Sequence, residues 1–208
     1  MKKVAITQRV ETDNKSKERR DALDQRWFSF LKKCNVIPVI LPNDFNVAMP
    51  LLKEYNLDGI LFTGGNDLID YGGDAPERDK TETFLLNYSI EHNIPLLGVC
   101  RGMQLIQHFF GIKLEKVKGH TGCRHNILMS RESFEVNSYH NFGTKENNND
   151  EFNILAKAQD GVIEAIKHVK YPICGIMWHP EREYPFLDHD INLVDSIFGT
   201  TLKYQEIR

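Results

Sequence analysis

The sequence lacks three things: paired cysteines, an excess of basic residues and a long apolar run. Four cysteines in 208 residues, with no C-x-x-C pair, exclude a disulfide framework or a cysteine-rich zinc site. A formal net charge of −3 gives no broad basic field for nucleic acid or an anionic membrane. No window approaches the length of a membrane span, and the first residues lack the apolar stretch of a signal peptide. We therefore expect a cytoplasmic protein whose partners are small molecules.

Short apolar runs alternate with amphipathic stretches in the first half of the chain. With 41% hydrophobic residues the chain can bury one sizeable core, so we expect one domain, 1–208. Strands that alternate with helices predict a single-domain α/β fold with a mostly parallel central sheet flanked by helices. The predicted strands are Val4–Thr7, Val36–Leu41, Gly59–Phe62 and Pro95–Val99. The predicted helices are Lys17–Lys33, Val47–Tyr55, Thr81–His92 and Arg101–Phe110, the last ended by Gly111.

The pattern changes after Gly111. Five strand-like pieces predict small antiparallel additions and the closing strands: Ile127–Met129, Phe134–Asn137, Asn153–Ala158, Val162–Ile166 and Ile173–Trp178. The polar run Thr144–Glu151 predicts a solvated loop. A helix at Ile191–Phe198 is predicted to close the domain.

The segment 95–104 runs from an apolar strand through a G-x-C-x-G turn into a helix. Gly98 and Gly102 leave room for a sharp turn that holds the Cys100 thiol at the carboxyl edge of the sheet. The N-terminus of the next helix favours a thiolate, and the backbone N–H of Arg101 points to where an oxyanion would form. The pattern is typical of a nucleophile elbow, and a buried cysteine at a strand end is the alternative interpretation.

A second apolar strand ends in Trp178-His179-Pro180-Glu181. Pro180 keeps His179 extended, so residues two apart point the same way and Glu181 can reach the imidazole. The carboxylate would fix the tautomer of His179 and leave its other ring nitrogen to take the thiol proton of Cys100. A histidine before proline can also simply cap a strand, but its combination with a nucleophile elbow favours a Cys-His-Glu triad.

These two segments, with 63–67 (TGGND) and 136–140 (VNSYH), resemble the class I glutamine amidotransferase superfamily, and within it the stand-alone γ-glutamyl hydrolase branch. The resemblance covers nearly the whole chain and implies a flavodoxin-like fold. It implies that Cys100 is the nucleophile, His179 the base and Glu181 its orienting acid. It also implies a γ-glutamyl thioester intermediate whose hydrolysis frees glutamate, with no metal or organic cofactor.

The resemblance extends to the groups around the triad. It implies that the backbone N–H groups of Gly65 and Arg101 form the oxyanion hole. The substrate-binding residues that it implies are Gly64, Gln104, Ser138, Tyr139 and His140. Each of them has an ordinary structural alternative, such as a glycine turn, an exposed helix residue or a loop.

Charged residues suggest two places for the leaving group. Between the first strand and the first helix, acidic residues alternate with Arg9, Lys15, Lys17, Arg19, Arg20 and Arg26. We favour a solvated helix face there over a clamp for an anionic leaving group. The second candidate anion-contact cluster is His120, Arg124 and His125. Adding Cys123 would suggest a metal site, but the spacing matches no recognised zinc pattern and we expect no metal.

Within the hydrolase branch, the chain most resembles the hydrolases of γ-glutamyl-CDP-amidate. This resemblance implies a nucleotide conjugate as substrate and cytidine diphosphoramidate as the released group. Arginine suits such a leaving group because a guanidinium binds phosphate oxygens in a bidentate manner.

Two other functions stay open at this point. A glutaminase with the same triad would deliver ammonia to a separate synthetase partner, although Arg101 and the segment 137–140 resemble the hydrolase branch more closely. A thiol sensor of the same fold would need only a reactive Cys100. Glu181 argues against the sensor, because a sensor has no use for a carboxylate that orients a base.

Overall fold

The computed structural model describes residues 1–129, 132–146 and 150–200. The strands in chain order are β1 (Lys2–Ile6), β2 (Arg9–Thr12), β3 (Arg19–Ala22), β4 (Val36–Ile40), β5 (Gly59–Phe62), β6 (Leu96–Val99), β7 (Glu115–Lys116), β8 (Thr121–Met129), β9 (Glu132–Tyr139), β10 (Phe142–Gly143), β11 (Phe152–Ala158), β12 (Ile163–His168) and β13 (Ile173–Ile176). The helices are α1 (Arg26–Lys33), α2 (Phe45–Tyr55), α3 (Pro76–His92), α4 (Arg101–Phe109) and α5 (Asp188–Phe198).

A nine-stranded sheet in the order β4-β1-β5-β6-β13-β12-β11-β8-β9 organises the described residues. The first five strands of this order run parallel, and the other four continue the sheet in antiparallel fashion. β5, β6 and β13 are buried at every position, as expected for parallel strands that are covered on both faces. The loops that follow β1, β5, β6 and β13 therefore meet at one edge of the sheet, where open α/β folds bind ligands.

The predicted fold class is confirmed, with an antiparallel part of four strands. Two apolar clusters form the core: one contains Trp27, Phe30 and Trp178, and the other contains Leu85 and Met103. In the described part of the chain, no helix combines the length and the apolarity that crossing a membrane requires.

The predicted helix Lys17–Lys33 is wrong in its first half. Arg19–Ala22 is instead strand β3, which pairs antiparallel with β2 from outside the predicted helix, and only Arg26–Lys33 is helical. Asp13 Oδ1 accepts hydrogen bonds from the N–H groups of Lys15 and Ser16 at 3.0 and 2.7 Å, and Lys17 has a left-handed φ of 60°. These local hydrogen bonds and the left-handed Lys17 form the turn of a hairpin and are incompatible with the start of a helix at Lys17. The favoured interpretation of a solvated helix face is therefore wrong, because most of these charges lie on a hairpin.

Several other predicted boundaries shift. α3 begins at Pro76, where Thr81 was predicted, and so includes Arg78. β8 begins at Thr121, where Ile127 was predicted, and β9 runs on to Tyr139. Gly111 has the predicted left-handed φ, at 79°. The predicted loop 144–151 includes residues 147–149, which lie outside the described residues.

Candidate active site

The elbow at Cys100 is present between β6 and α4. Cys100 has φ 54° and ψ −105°, a strained conformation for a residue with a side chain. A Cβ on Gly98 would lie 2.6 Å from the carbonyl carbon of Gly102, and a Cβ on Gly102 would lie 2.6 Å from Phe62 Cβ. Only glycine fits at either position, so these two residues make the turn possible. The Cys100 side chain is buried, and its backbone N–H is fixed by the Ile176 carbonyl at 2.7 Å.

His179 follows β13 and contacts Glu181. Its Nδ1–H donates to Glu181 Oε1 at 2.8 Å, and both side chains are almost fully buried. The predicted contact is therefore present, but its geometry differs from the expected extended segment. His179 is extended, whereas Pro180–Arg182 forms a 3-10 turn that folds Glu181 back towards the ring.

The other side of the His179 ring meets Cys100. A Cβ on Gly64 would lie 2.5 Å from His179 Cε1, 3.3 Å from its Nε2 and 3.5 Å from Cys100 Cβ, so both side chains converge over this glycine. Burial alone would lower the pKa of His179, but the charges of Glu181 and Cys100, together with their hydrogen bonds to the ring, raise it to about 9. The structure thus brings Cys100, His179 and Glu181 together, with the imidazole between the thiol and the carboxylate.

Asn137 at the end of β9 holds the backbone of His179. The His179 N–H donates to Asn137 Oδ1 at 2.9 Å, and Asn137 Nδ2 donates to the His179 carbonyl at 2.8 Å. The same Nδ2 also donates to Glu183 Oε1 at 2.7 Å. In the sequence, Asn137 stands out only as part of the segment 136–140 that resembles the family. Its hydrogen bonds to the backbone of His179 join distant segments and leave no local sequence pattern.

The glycine turn after β5 is oriented by Arg78. Its guanidinium donates to the carbonyls of Thr63 at 2.7 Å, of Gly64 at 3.0 Å and of Gly65. In a trans peptide the C=O and N–H groups point in opposite directions, so the Gly65 N–H points away from Arg78. Gly65 itself has φ 87°, which favours glycine. Arg78 is fully buried. Its role could not be predicted from the sequence, because the predicted helix begins three residues later, at Thr81.

Glu82 connects Arg78 to the nucleophile helix. Its Oε1 accepts from Arg78 Nε at 3.0 Å and from Thr7 Oγ1 at 2.6 Å, and its Oε2 pairs with the Arg101 guanidinium. Burial alone would raise the pKa of Glu82, but Arg101 and Arg78 hold it below its usual range. Arg101 also pairs with Asp79. One buried carboxylate therefore ties together the two segments that carry Gly65 and Arg101, the predicted oxyanion donors. The spacing of four residues between Arg78 and Glu82 is the sequence signal that could have revealed part of this ion network.

Some of the predicted substrate-binding residues line a cavity beside Cys100, and the others do not. A cavity of about 280 Å³ beside Cys100 is lined by Gln104, Tyr139 and His140, among others. Gln104 Nε2 donates to the Phe142 carbonyl at 2.9 Å. Ser138, in contrast, is fully buried and donates its hydroxyl to the His120 carbonyl at 2.6 Å. Gly64 lies directly under the His179 ring.

A second cleft, which borders His179 and Glu181, is lined by Arg9, Trp27 and Arg182 among others. Arg9 lies against Gly65, since a Cβ on that glycine would be 2.7 Å from Arg9 Cδ. Arg26 Nη2 binds Asp24, another residue of this cleft, at 2.6 Å.

The arginines among the other predicted leaving-group contacts are engaged in ion pairs, and His125 faces Glu164. Arg19 pairs with Glu77 and Arg20 with Glu18, each at 2.5 Å. Arg124 spans Glu135 and Glu183 at 2.7 and 2.9 Å, and His125 lies 3.4 Å from Glu164.

The chain belongs to the class I glutamine amidotransferase family, whose model matches residues 20–190. It is similar to the γ-glutamyl-CDP-amidate hydrolase of Campylobacter jejuni, with 35% identity over 86% of this chain and 90% of that protein. It is also similar to the glutamine-hydrolysing GMP synthase subunit of Pyrococcus abyssi, with 34% identity over 80% of this chain and 87% of that protein. A structure from Thermoplasma acidophilum, described as that of a GMP synthase subunit, shares the fold, with a TM-score of 0.73, 22% identity and coverage of 96% of this chain and 94% of that chain.

Proposed function

We propose that the chain hydrolyses a γ-glutamyl amide bond with Cys100 as nucleophile, His179 as acid and base, and Glu181 as its orienting acid. The observation that carries this proposal is the His179 ring held between Glu181 and the Cys100 elbow. A thiolate paired with an imidazolium attacks the γ-carbonyl, and the C–N bond breaks as His179 donates its proton to the leaving nitrogen. His179 then takes a proton from water, which hydrolyses the thioester and frees glutamate.

The oxyanion in this proposal is bound by the N–H groups of Gly65 and Arg101. The Arg101 N–H belongs to the first turn of α4, where backbone donors have no partner within the helix. The Gly65 N–H points away from the guanidinium that binds the Gly64 carbonyl. Both donors are held by one buried ion network, so they are set in place before substrate arrives.

The substrate that we propose is a γ-glutamyl conjugate of a nucleotide diphosphate, most simply γ-glutamyl-CDP-amidate. The relative in Campylobacter jejuni supports this choice by its name and its coverage of the chain. Arg9 and Arg182 in the cleft beside His179 supply positive charge where a diphosphate would leave. All four cysteines are free thiols, which suits a reducing compartment, and we propose that the protein acts in the cytoplasm.

The proposal is tested by incubating the purified protein with γ-glutamyl-CDP-amidate and with simple γ-glutamyl amines, and by assaying free glutamate. Mass spectrometry of quenched reactions should find a glutamyl adduct on Cys100. Cys100→Ala should lose turnover by at least about 10⁴-fold, because the thioester cannot form.

Cys34→Ala is the matched control. Cys34 is a buried thiol at the end of α1, and burial raises its pKa to about 12, so it stays protonated and unreactive. Its removal should leave turnover close to that of the unaltered protein. If Cys100→Ala keeps substantial turnover, or if no substrate yields glutamate, the proposed hydrolase is rejected.

A second candidate, a glutaminase that supplies ammonia to a synthetase, is favoured by the Pyrococcus abyssi relative. The same assay separates the two. A hydrolase is active alone, whereas a glutaminase should release glutamate from glutamine slowly until its partner is added.

A further inference from the structure

A second polar cluster lies in the antiparallel half of the sheet. Its members are His120 just before β8, His125 within β8, His140 just after β9 and Glu164 in β12, and we name them the Glu164 cluster. Glu164 Oε1 lies 3.2 Å from His120 Nδ1, 3.4 Å from His125 Nε2 and 3.5 Å from His140 Nε2. The Glu164 side chain is 1% exposed, so three imidazoles surround one buried carboxylate.

The hydrogen bonds of the rings decide where their lone pairs point. His140 Nδ1 lies 2.9 Å from the Phe142 carbonyl, which can only accept, so Nδ1 carries the proton and Nε2 of the neutral ring has a lone pair. His120 Nε2 lies 3.4 Å from Asp160 Oδ2, which by the same reasoning puts the lone pair on His120 Nδ1. These two nitrogens are 3.2 Å apart and both face Glu164. With both rings neutral, their two lone pairs and the Glu164 carboxylate therefore converge with no donor between them.

A cation satisfies this arrangement better than hydrogen bonds do. Both Glu164 oxygens and His125 Nε2 are buried without a hydrogen-bond partner among the described residues. A buried carboxylate in that state is costly unless a positive charge sits beside it. The rings also show the arrangement of metal-bound histidines, whose second nitrogen donates to a carbonyl or a carboxylate.

The separations match one coordination geometry. The atoms His120 Nδ1, His140 Nε2 and Glu164 Oε1 form a triangle with sides of 3.2, 3.2 and 3.5 Å. Zinc bonds to nitrogen and oxygen of about 2.0–2.1 Å, set at tetrahedral angles, place ligand atoms about 3.3–3.4 Å apart. An octahedral site with bonds of that length would bring neighbouring ligands to about 2.8–3.0 Å.

We propose that the Glu164 cluster binds a divalent metal ion of the zinc class through His120 Nδ1, His140 Nε2 and Glu164 Oε1. His125 Nε2 lies 3.4 Å from Glu164 Oε1, beside this set of three ligand atoms. Three protein ligands leave the fourth tetrahedral position open to water. The ion joins β8, β9 and β12, and through His140 it fixes one wall of the cavity beside Cys100. Local spacing did not reveal this site, because two of its ligands lie far from His120 in sequence.

The test uses the full chain carrying Cys100→Ala, which removes the thiol at the other candidate zinc ligand, His179. The protein is treated with a chelator, dialysed, and titrated with Zn²⁺ in competition with a chromophoric chelator. We expect one equivalent to bind, and Co²⁺ to give the intense visible absorption of a tetrahedral site. Because this variant cannot form the thioester, the result is independent of whether the chain is a hydrolase.

Variants then locate the ion. Adding Glu164→Gln or His120→Gln should abolish the one-equivalent binding and the rise of Tm that Zn²⁺ causes. His108→Ala is the matched control, since His108 pairs with Asp70 on the surface at 3.0 Å and should leave both readouts unchanged. Absence of saturable one-equivalent binding in the Cys100→Ala protein overturns the proposal, even if the cluster variants fail to fold. Full binding by a folded Glu164→Gln variant overturns it as well.

Discussion

Two clusters of histidine and glutamate lie in the two halves of one sheet, and they use the same side chains differently. At His179, each ring nitrogen has its own partner: Nδ1 donates to Glu181, and Nε2 faces the Cys100 thiol. In the Glu164 cluster, nitrogens from separate rings converge on one carboxylate oxygen. In the first arrangement, Nε2 can take up and release a proton while Glu181 holds the Nδ1–H group. The second arrangement is the one for which we propose a bound cation.

The comparison teaches that residue types do not define the chemistry, because backbone position decides which ring atoms meet. β13 delivers one histidine to the parallel edge, beside the elbow and the N-terminus of α4. The segments of β8 and β9 deliver three rings to a buried space, and β12 delivers one acid to the same space. Each difference between the clusters can be tested by substitution.

The largest effect is expected for His179→Ala. Without the ring there is neither a base for the thiol nor an acid for the leaving group, so kcat should fall about 10⁴-fold or more. Zinc binding by the Glu164 cluster should be unchanged, as measured by chelator competition. If His179→Ala lost both turnover and zinc binding, the two clusters would form one unit, and the contrast between them would be wrong.

The next effect concerns stability. Glu82→Gln removes a fully buried charge between two guanidinium groups and should lower the free energy of unfolding by about 3–5 kcal/mol, measured by urea denaturation. Glu77→Gln on the same helix is the control. Its pair with Arg19 is partly exposed and should matter by at most about 1 kcal/mol. Equal effects of the two substitutions would contradict the network described at the active site.

A smaller effect is expected for Glu181→Gln, which keeps an amide of similar size near the His179 ring but removes the negative charge of the carboxylate. We expect kcat to fall about 10²-fold. In the unaltered protein, activity should decline as pH rises through about 9, because the His179 imidazolium that protonates the leaving group is lost. Losing the Glu181 charge lowers the pKa of His179, so the variant should decline at lower pH. A pH profile with an unmoved alkaline limb would show that Glu181 does not act through this ring.

The smallest effect is expected for Arg9→Ala. Arg9 lies at the cleft beside Gly65 but is 43% exposed and paired with Glu11, so its contribution to diphosphate binding is limited. We expect KM for γ-glutamyl-CDP-amidate to rise about fivefold to tenfold, with KM for a neutral γ-glutamyl amide unchanged. Steady-state kinetics with both substrates measures this, and an equal change for both would remove Arg9 from the leaving-group site.

The parts of the site that local sequence could predict are those carried by a few consecutive residues. Gly98, Cys100 and Gly102 encode the elbow within five positions, and His179 and Glu181 lie two apart. The strands of the parallel half followed from apolar runs for the same reason. Features of the site that depend on a contact between distant segments could not be predicted from local sequence.

Two failures illustrate this limit. Strand β3 of the hairpin lies within the predicted helix Lys17–Lys33, because alternating charges do not reveal that the Asp13 carboxylate binds the preceding turn. Glu164 is the one polar residue of the predicted strand Val162–Ile166, and it went unnoticed because the imidazoles that surround it come from segments 24–44 residues earlier. A buried acid in a strand is unremarkable until its neighbours across the sheet are known.

The register of β6 and β13 has a consequence for how the protein loses activity. Val99 lies directly opposite Ile176, so the nucleophile and the base leave neighbouring central strands at nearly the same level. The two segments therefore start from strands that are held at the spacing of a parallel ladder, about 4.8 Å, before the turns that carry Cys100 and His179 begin. Central ladders are the last to open in amide hydrogen exchange. Heat inactivation should accordingly coincide with global unfolding and should not precede it.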